Sequence, residues 1–441
     1  MKIVQAAGWY HPDSVGGTEV YVAALAREFV AGGHEVLIAA PEAGLRTPRA
    51  YRYEDCEVFR FPIPAAPARD EAQGEVAVRG SEYFHRWLAS TRADVVHIHT
   101  FVTGLGLPEI EAARAAGSRV IVTTHSSSLG YTCQRGTLML RGDAICDGIV
   151  DAVRCADCVL QERGAPAAAA SALARIPPRL GQTAAVLPGR IGTALGMTDL
   201  IVRNMRRQRA MLDAVNAFVV LTDEAARILH ANGAPAGKVV VNRLGVRDGA
   251  VPAASPSGRS SSDEISIGYV GRFDEVKGVL DLAEAMRRLP ANLRLRLEFR
   301  GPAQTAADRE TRAAVARACG ADPRVTIGDG VAPEESAGLI ASFDVLCCPS
   351  RCLEGGPTVG LEAMAAGVPV IAASVGGVAE VAEDGVNARL VPPGDVDRLA
   401  AALIEVASNP AATIGQWRKR LPAPRTMCDV ARDYLRLYTR N

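Results

Sequence analysis

The sequence predicts an α/β chain built from two doubly wound, Rossmann-like domains. Short apolar runs suited to buried strands alternate with helical patterns from the first residues onward, as parallel βαβ units require. A stretch rich in Pro, Ser, Ala and Gly at 248–263 breaks that alternation in the manner of a linker, and the alternation then resumes. A chain of 441 residues is also too long for one ordinary core.

The elements follow in order. Ile3–Ala7 reads as a first buried strand, Thr18–Ala31 as a helix and Glu35–Ala39 as a second strand. Asp94–His99 and Arg119–Thr124 are β-rich runs separated by a helix near Pro108–Ala116. Asn216–Leu221 and Lys238–Asn242 flank a helix near Glu224–Ala231. After the linker, strands are expected at Ile265–Val270, Leu295–Arg300, Arg324–Ile327, Val345–Pro349, Pro369–Ala372 and Ala388–Val391. The expected organisation is an N-terminal domain at 1–247, a linker at 248–263, a C-terminal domain at 264–424 and a last helix at 425–441 that crosses back to the first domain. Residues 131–214 lack a clear strand and hold a cysteine cluster, an alanine tract and an Arg-rich region, so they read as an insertion. Ligands of doubly wound sheets sit outside the strand carboxyl ends, so two such sheets facing each other would hold two substrates in a cleft.

Composition narrows the function classes. The chain is 48% hydrophobic and 22% charged, which marks it as globular. Lys plus Arg equals Asp plus Glu at 49 each, so no global charge favours nucleic acid. No apolar run reaches membrane-spanning length, and Met1–Gly8 is too short and too soon broken for a signal peptide. A cytoplasmic location, with the ten cysteines reduced or metal-bound, is the expectation.

The segment Pro349–Gly367 carries the chemistry. Glu354 and Glu362 stand eight positions apart, with Gly355, Gly356 and Pro357 between them at the start of a helix. Proline suits a first helical turn. The amides of Thr358 and Val359 would then point from a helix N-terminus, where phosphates bind. A phosphate cradle between two carboxylates able to accept from hydroxyls indicates a nucleotide, a sugar or both. Arg272 offers a bidentate fork and Lys277 a point charge, just after a predicted strand.

Together these motifs resemble the retaining glycosyltransferases of the GT-B fold, specifically the fourth glycosyltransferase family (glycosyl transferases group 1). The resemblance rests on Glu354…Glu362, on Gly271-Arg272-Phe273…Lys277-Gly278, on the double-glycine loop Gly16-Gly17-Thr18-Glu19, on His125 closing Val-Thr-Thr-His, and on Gly376-Gly377…Glu380 and Pro392-Pro393-Gly394-Asp395. It covers most of both domains apart from the insertion. It implies metal-independent transfer of a hexosyl unit from a nucleotide diphosphate sugar to a hydroxyl acceptor, a sugar or a lipid-linked one, in polysaccharide, glycolipid or cell-envelope synthesis. In that reading Arg272, Lys277 and the amides of Thr358 and Val359 stabilise the departing diphosphate. Glu362 holds the ribose, Glu354 and the Gly356 amide meet the transferred sugar, and Gly16 and Gly17 touch the diphosphate. His125 lies near the reaction centre. Thr18 would cap the first helix, and Asp395 a later one, rather than joining Asp397 as a metal-binding pair.

Two further constellations remain. Cys133, Cys146, Cys155 and Cys158 are separated by twelve, eight and two residues, a pattern that suits tetrahedral thiolate ligation. Zinc is the simplest occupant, an iron–sulfur cluster is compatible, and unlinked thiols or a disulfide are the alternatives. Arg203, Arg206, Arg207 and Arg209, preceded by Arg175, Arg179 and Arg190, form either a solvated helix face or a patch for anionic lipid at the inner face of a membrane. His97 and His99 read as sheet scaffolding. A nucleotide-sugar epimerase of the same fold and a non-catalytic, metal-stabilised scaffold are the competing readings. A phosphorylase would need a cofactor lysine motif that is not found. A dinucleotide oxidoreductase would need a Gly-x-Gly-x-x-Gly turn, which Gly8-Trp9-Tyr10-His11 does not supply.

Overall fold

The first strand, β1 (Lys2–Ala7), is buried along nearly its whole length, as a central strand covered on both faces must be. The computed structural model describes residues 1–440 except 14–15, 75, 185–186, 188, 248–263, 333–334 and 356–357; the expected linker therefore lies outside the described residues. The chain divides into two units: Met1–Gly142, Cys146–Arg243 and Met427–Asn441 form the first, and Asp143–Ile145 with Leu244–Thr426 the second.

In unit 1, β1 is joined by β2 (Glu35–Ala43), β3 (Arg49–Tyr53), β4 (Cys56–Ile63), β5 (Val95–His99), β6 (Arg119–Thr123), β7 (Ala217–Val220) and β8 (Val239–Val241). The sheet runs β8-β7-β6-β5-β1-β2-β4-β3 and is parallel except where β3 pairs antiparallel with β4. The β3–β4 hairpin is absent from the sequence expectation. Its edge strand, Arg-Ala-Tyr-Arg-Tyr, is mostly exposed and so lacks the apolar run that marks the others. The strand order reverses between β1 and β5, which makes their carboxyl ends the switch point of this sheet. Helix α1 (Gly17–Ala31) follows β1. The insertion is mainly helical, with α2 (Ala152–Glu162) and α3 (Met197–Ala214) as its longest elements. Ala156, Val159, Leu160, Ala170, Leu200 and Ile201 give it a small core of its own.

Unit 2 holds β9 (Ile265–Val270), β10 (Leu295–Arg300), β11 (Val325–Gly328), β12 (Val345–Cys348), β13 (Val370–Ala373) and β14 (Ala388–Val391), all parallel, in the order β11-β10-β9-β12-β13-β14. Side-chain alternation sends Ile267, Cys347 and Ile371 into one apolar layer, and Leu346, Cys348, Val370 and Ala372 into the other. Both layers are buried, which is why these strands read as continuous apolar runs. Phe343 packs so closely on Gly268 that an added Cβ there would sit 2.3 Å from its ring. Here the order reverses between β9 and β12. Helix α4 (Val279–Arg287) follows β9, and α5 (Thr358–Ala365) follows β12.

The last helix, α6 (Met427–Thr439), belongs to unit 1 and packs on α1. Its strongly amphipathic pattern buries Val430, Ala431, Tyr434, Leu437 and Tyr438.

Candidate functional site

The two switch points carry different chemistry. In unit 2, the chain leaves β9 at Gly271 and turns through a short 3-10 helix, Glu275–Lys277, into α4. Asp274 caps that turn, accepting a hydrogen bond from the Val276 amide at 3.2 Å. Gly278 adopts φ +70, and a Cβ there would lie 1.9 Å from the Pro349 carbonyl oxygen, so only glycine lets the two segments touch. The Arg351 amide donates to the Val276 carbonyl at 2.8 Å, knitting the segment after β12 to the turn after β9. Arg351 is itself held by an ion pair with the buried Asp281.

This knitting brings Lys277 and Glu354 together, with Nζ 2.5 Å from Oε1. The Glu354 main chain is fixed from behind: its carbonyl accepts from the Gly377 amide at 3.1 Å. Gly376, at φ +80, leaves no room for a Cβ, which would sit 2.6 Å from that carbonyl. The double-glycine landmark at 376–377 thus positions Glu354. The Cys352 thiol lies 3.9 Å from Glu354 Oε1, and burial with the nearby carboxylate pushes that thiol up to about 12, so it stays neutral. Glu362, on α5, is only 5% exposed and pairs with Arg247 Nη2 at 3.3 Å. Arg272 is about half exposed and lies 3.1 Å from Asp274. Thr358 and Val359 open α5 as expected, Thr358 exposed and Val359 half-buried; Gly356 and Pro357 lie outside the described residues.

In unit 1, the register aligns Gln5 with His97 and His99 with Thr123, so these four side chains share one face of the sheet. All four are fully buried beneath Tyr434 and Tyr438 of α6. Gln5 Nε2 donates to Tyr438 Oη at 3.3 Å, so Gln5 Oε1 is the acceptor for His99 Nε2 at 2.6 Å. His99 Nδ1 then accepts from His125 Nε2 at 3.1 Å, which leaves Nδ1 as the lone-pair nitrogen of His125. His97 completes the network through Tyr438 at 2.6 Å and Thr123 at 2.7 Å. Burial holds His97 and His99 well below the usual imidazole range and lowers His125 to about 4, so the network is neutral. His125 lies two residues past the end of β6, half-buried, its ring edge-on to Tyr21.

Gly16 is the N-cap of α1 and Gly17 its first residue. Thr18 does not cap the helix, because the turn starts two residues earlier than that role needs. A Cβ at Gly16 would lie 2.7 Å from Glu19 Oε2, whereas Gly17 faces open space. Asp395 does cap its helix, accepting from the Arg398 amide at 2.9 Å, and Asp397 pairs with Arg288.

Sequence reasoning missed a cavity of about 620 Å³ at the carboxyl ends of β1, β2 and β4, lined by Trp9, Tyr10, Asp13, Glu42, Arg49 and Arg60 among others. Arg60 is 3% exposed and donates to the Tyr10 carbonyl at 2.7 Å and to Asp13 at 3.1 Å. Trp9 is 58% exposed on its wall. The available signal was a Trp two residues past the end of a buried strand.

The arginine cluster does not form one patch. Arg207 is buried over the Tyr131 ring, Arg203 pairs with Asp199 at 2.9 Å, and Arg209 with Asp213 at 3.4 Å. Cys133, Cys146, Cys155 and Cys158 are free thiols that line a single cavity. Among the described residues, no three or more His, Cys, Asp or Glu side chains stand at the spacing a metal ion requires. No described helix is long and apolar enough to cross a membrane.

Residues 16–245 match the family model of the glycosyl transferase 4-like domain, and residues 264–409 that of glycosyl transferases group 1. A D-inositol 3-phosphate glycosyltransferase of Kribbella flavida is 31% identical over 216 residues, 46% of this chain and 51% of its own length. An MMP alpha-(1->4)-mannosyltransferase of Mycolicibacterium hassiacum is 37% identical over 142 residues, 31% of this chain and 32% of its own. The chain thus matches about half or less of these relatives' length. Among solved structures, sucrose-phosphate synthase of Thermosynechococcus elongatus shares the fold at a TM-score of 0.69 with 20% identity, covering 99% of this chain and 98% of that one. Anabaena HepE in complex with UDP and glucose does so at 0.64 with 15% identity, covering 100% of both chains. The architecture is the GT-B fold.

Proposed function

Because the chain belongs to the glycosyl transferase 4-like, glycosyl transferases group 1 family, we propose that it moves a hexosyl unit from a nucleotide diphosphate sugar to a hydroxyl acceptor, with retention and without a catalytic metal. The observation that carries this reading is the Lys277–Glu354 pair at the unit 2 switch point, with Arg272 beside it and the buried Glu362 opening the next helix turn. These are the parts a diphosphate sugar needs. Lys277 keeps two N–H donors beyond the one aimed at Glu354, and with Arg272 it supplies positive charge where the leaving diphosphate gains negative charge. The α5 amides at Thr358 and Val359 add backbone donors.

In this reading Glu362 accepts from the ribose hydroxyls and Glu354 from hydroxyls of the transferred sugar. The bond from the anomeric carbon to the diphosphate oxygen breaks. The acceptor oxygen bonds to that carbon on the same face, and its proton passes to the departing phosphate oxygen. His125 is assigned to the reacting sugar, and Gly16 and Gly17 to the diphosphate. The acceptor is assigned to unit 1, where the cavity beside Trp9 has the size and the polar wall for a sugar. Named relatives and neighbours that transfer or bind sugars support a role in polysaccharide, glycolipid or cell-envelope synthesis.

Contact with a membrane surface belongs to the same proposal. Residues 163–198 contain four arginines and no acidic residue, and Leu180, Leu187 and Ile191 are exposed within that span. That composition suits an anionic lipid surface and a lipid-linked acceptor.

The test is calorimetric binding of UDP-, GDP- and ADP-sugars. One nucleotide class should bind, and Lys277→Ala and Glu362→Ala should each weaken it by roughly tenfold or more, the usual cost of a lost charged hydrogen bond. No binding across the panel rejects the assignment.

A further inference from the structure

We propose that Cys133, Cys146, Cys155 and Cys158 together hold one zinc ion through four thiolates, a structural site that staples the segment following His125. The inference is independent of the transfer reaction. Three separate stretches of chain deliver the sulfurs. Cys133 comes from the loop after β6, Cys146 from a turn ahead of α2, and Cys155 and Cys158 from α2 itself, where their spacing puts them on one helix face. All four border one cavity of about 30 Å³, closed otherwise by residues such as Leu138 and Val150. That space suits a single ion and is too small for a substrate.

Two backbone amides already point at sulfurs of the cluster. The Gly148 amide donates to Cys146 Sγ at 3.4 Å, and the Arg141 amide donates to Cys158 Sγ at 3.1 Å. Hydrogen bonds of this kind orient a metal-bound sulfur and offset its charge. The chain also curls tightly beside two of the cysteines: the Gly136 amide donates to the Cys133 carbonyl at 3.1 Å, and Gly136 and Gly148 both adopt positive φ, at +76 and +72.

The segment has reason to need a cross-link. Between β6 and α2 it contains only two two-residue strands, Met139–Leu140 and Ala144–Ile145. Four of its non-glycine residues, Leu129, Tyr131, Leu138 and Arg141, sit at positive φ, a conformation that persists only where surroundings enforce it. None of the four cysteines is in a disulfide. Binding requires the thiols to draw in around the cavity and release four protons to solvent, leaving a site of net charge −2. Arg135 and Arg154 line the same cavity, paired with Glu162 and Asp147 respectively.

The full-length protein is purified under reducing conditions without added chelator, and its metals are measured by plasma mass spectrometry. Close to one zinc per chain is expected, retained in Cys428→Ser, whose cysteine is exposed and outside the cluster, and lost in Cys155→Ser. Should Cys155→Ser fail to fold, cobalt(II) is titrated into wild-type protein stripped of metal with a chelator and kept reduced. The intense visible bands and thiolate charge-transfer absorption of tetrahedral cobalt should then appear at one equivalent. Protein free of zinc with no cobalt bands, a brown iron–sulfur chromophore, or a thiol count showing the four cysteines oxidised to disulfides would each overturn the proposal.

Discussion

Both units place their distinctive residues at the point where strand order reverses, yet one switch point is charged and the other neutral. In unit 2, Lys277 and Glu354 meet as a partly exposed ion pair, with Arg272 about half exposed nearby. In unit 1, His97, His99, Gln5 and Thr123 are sealed under two tyrosines of the last helix. The same topology therefore provides a charged edge in one sheet and a buried polar layer in the other. Water reaches this charged pair in part and screens it, which limits what it contributes to stability. A buried network contributes through the cost of leaving its members unpaired. Substitutions at the first should change function with the fold intact, and substitutions at the second should change the fold.

The largest effect expected from this contrast is on turnover. Glu354→Gln should lower kcat roughly tenfold to hundredfold, the range for a hydrogen bond to a charged acceptor, while nucleotide affinity and thermal midpoint stay near wild type. Glu362→Gln should instead weaken nucleotide affinity. Steady-state kinetics paired with calorimetry separates the two. If Glu354→Gln lowers affinity as much as Glu362→Gln does, the division between sugar and ribose carboxylates is wrong.

Next comes stability in unit 1. Tyr438→Phe removes the hydroxyl that joins Gln5 to His97 and should destabilise by about 1–3 kcal/mol, the range for an unsatisfied buried partner. Lys277→Ala should cost far less. The network also predicts a pH dependence. The folded imidazole of His125 lies at about 4 against 6.5 for the free group, so the unfolded chain binds more protons between those values. The His125 contribution should be fully present above pH 6.5, fall as the pH drops through this window, and level off below about 4. Asp147 and Glu284, held near 2 by arginine partners, add a further loss that begins in the ordinary carboxylate range and continues downward, so the His125 share is read above about pH 5. Denaturant midpoints across the range check the slope; a flat profile would mean the histidines are charged when folded.

Much of this was legible in the sequence, and what was not has physical reasons. Strands buried on both faces announced themselves as apolar runs, and Asp395 was readable as a cap. Gly278 and Gly376 were visible as motif glycines, but their reason was not: each faces a carbonyl contributed by a segment many residues away. The ion pair of Glu362 with Arg247 crosses 115 positions, and no local pattern foretells it. The arginine cluster looked uniform in sequence, yet helix periodicity buries Arg207 and exposes Arg206 one position earlier. The β3–β4 hairpin escaped because its edge strand satisfies half its backbone with water and carries polar side chains.

The smallest expected effect concerns the cavity of unit 1. Trp9 leaves its indole exposed on the wall, and Arg60 with Asp13 and Arg49 with Glu42 line the same cavity as ion pairs. An exposed indole beside polar groups is suited to pack against the apolar face of a sugar ring while its N–H remains free to donate. Because Trp9 buries little of itself, Trp9→Ala should leave the thermal midpoint unchanged. An aromatic contact of about 0.5–1.5 kcal/mol corresponds to a roughly twofold to tenfold rise in acceptor KM, with kcat and donor KM preserved. Kinetics with the donor and acceptor pair that gives turnover would show this split. A matching rise in donor KM would instead place Trp9 with the nucleotide sugar and dissolve the assignment of the acceptor to unit 1.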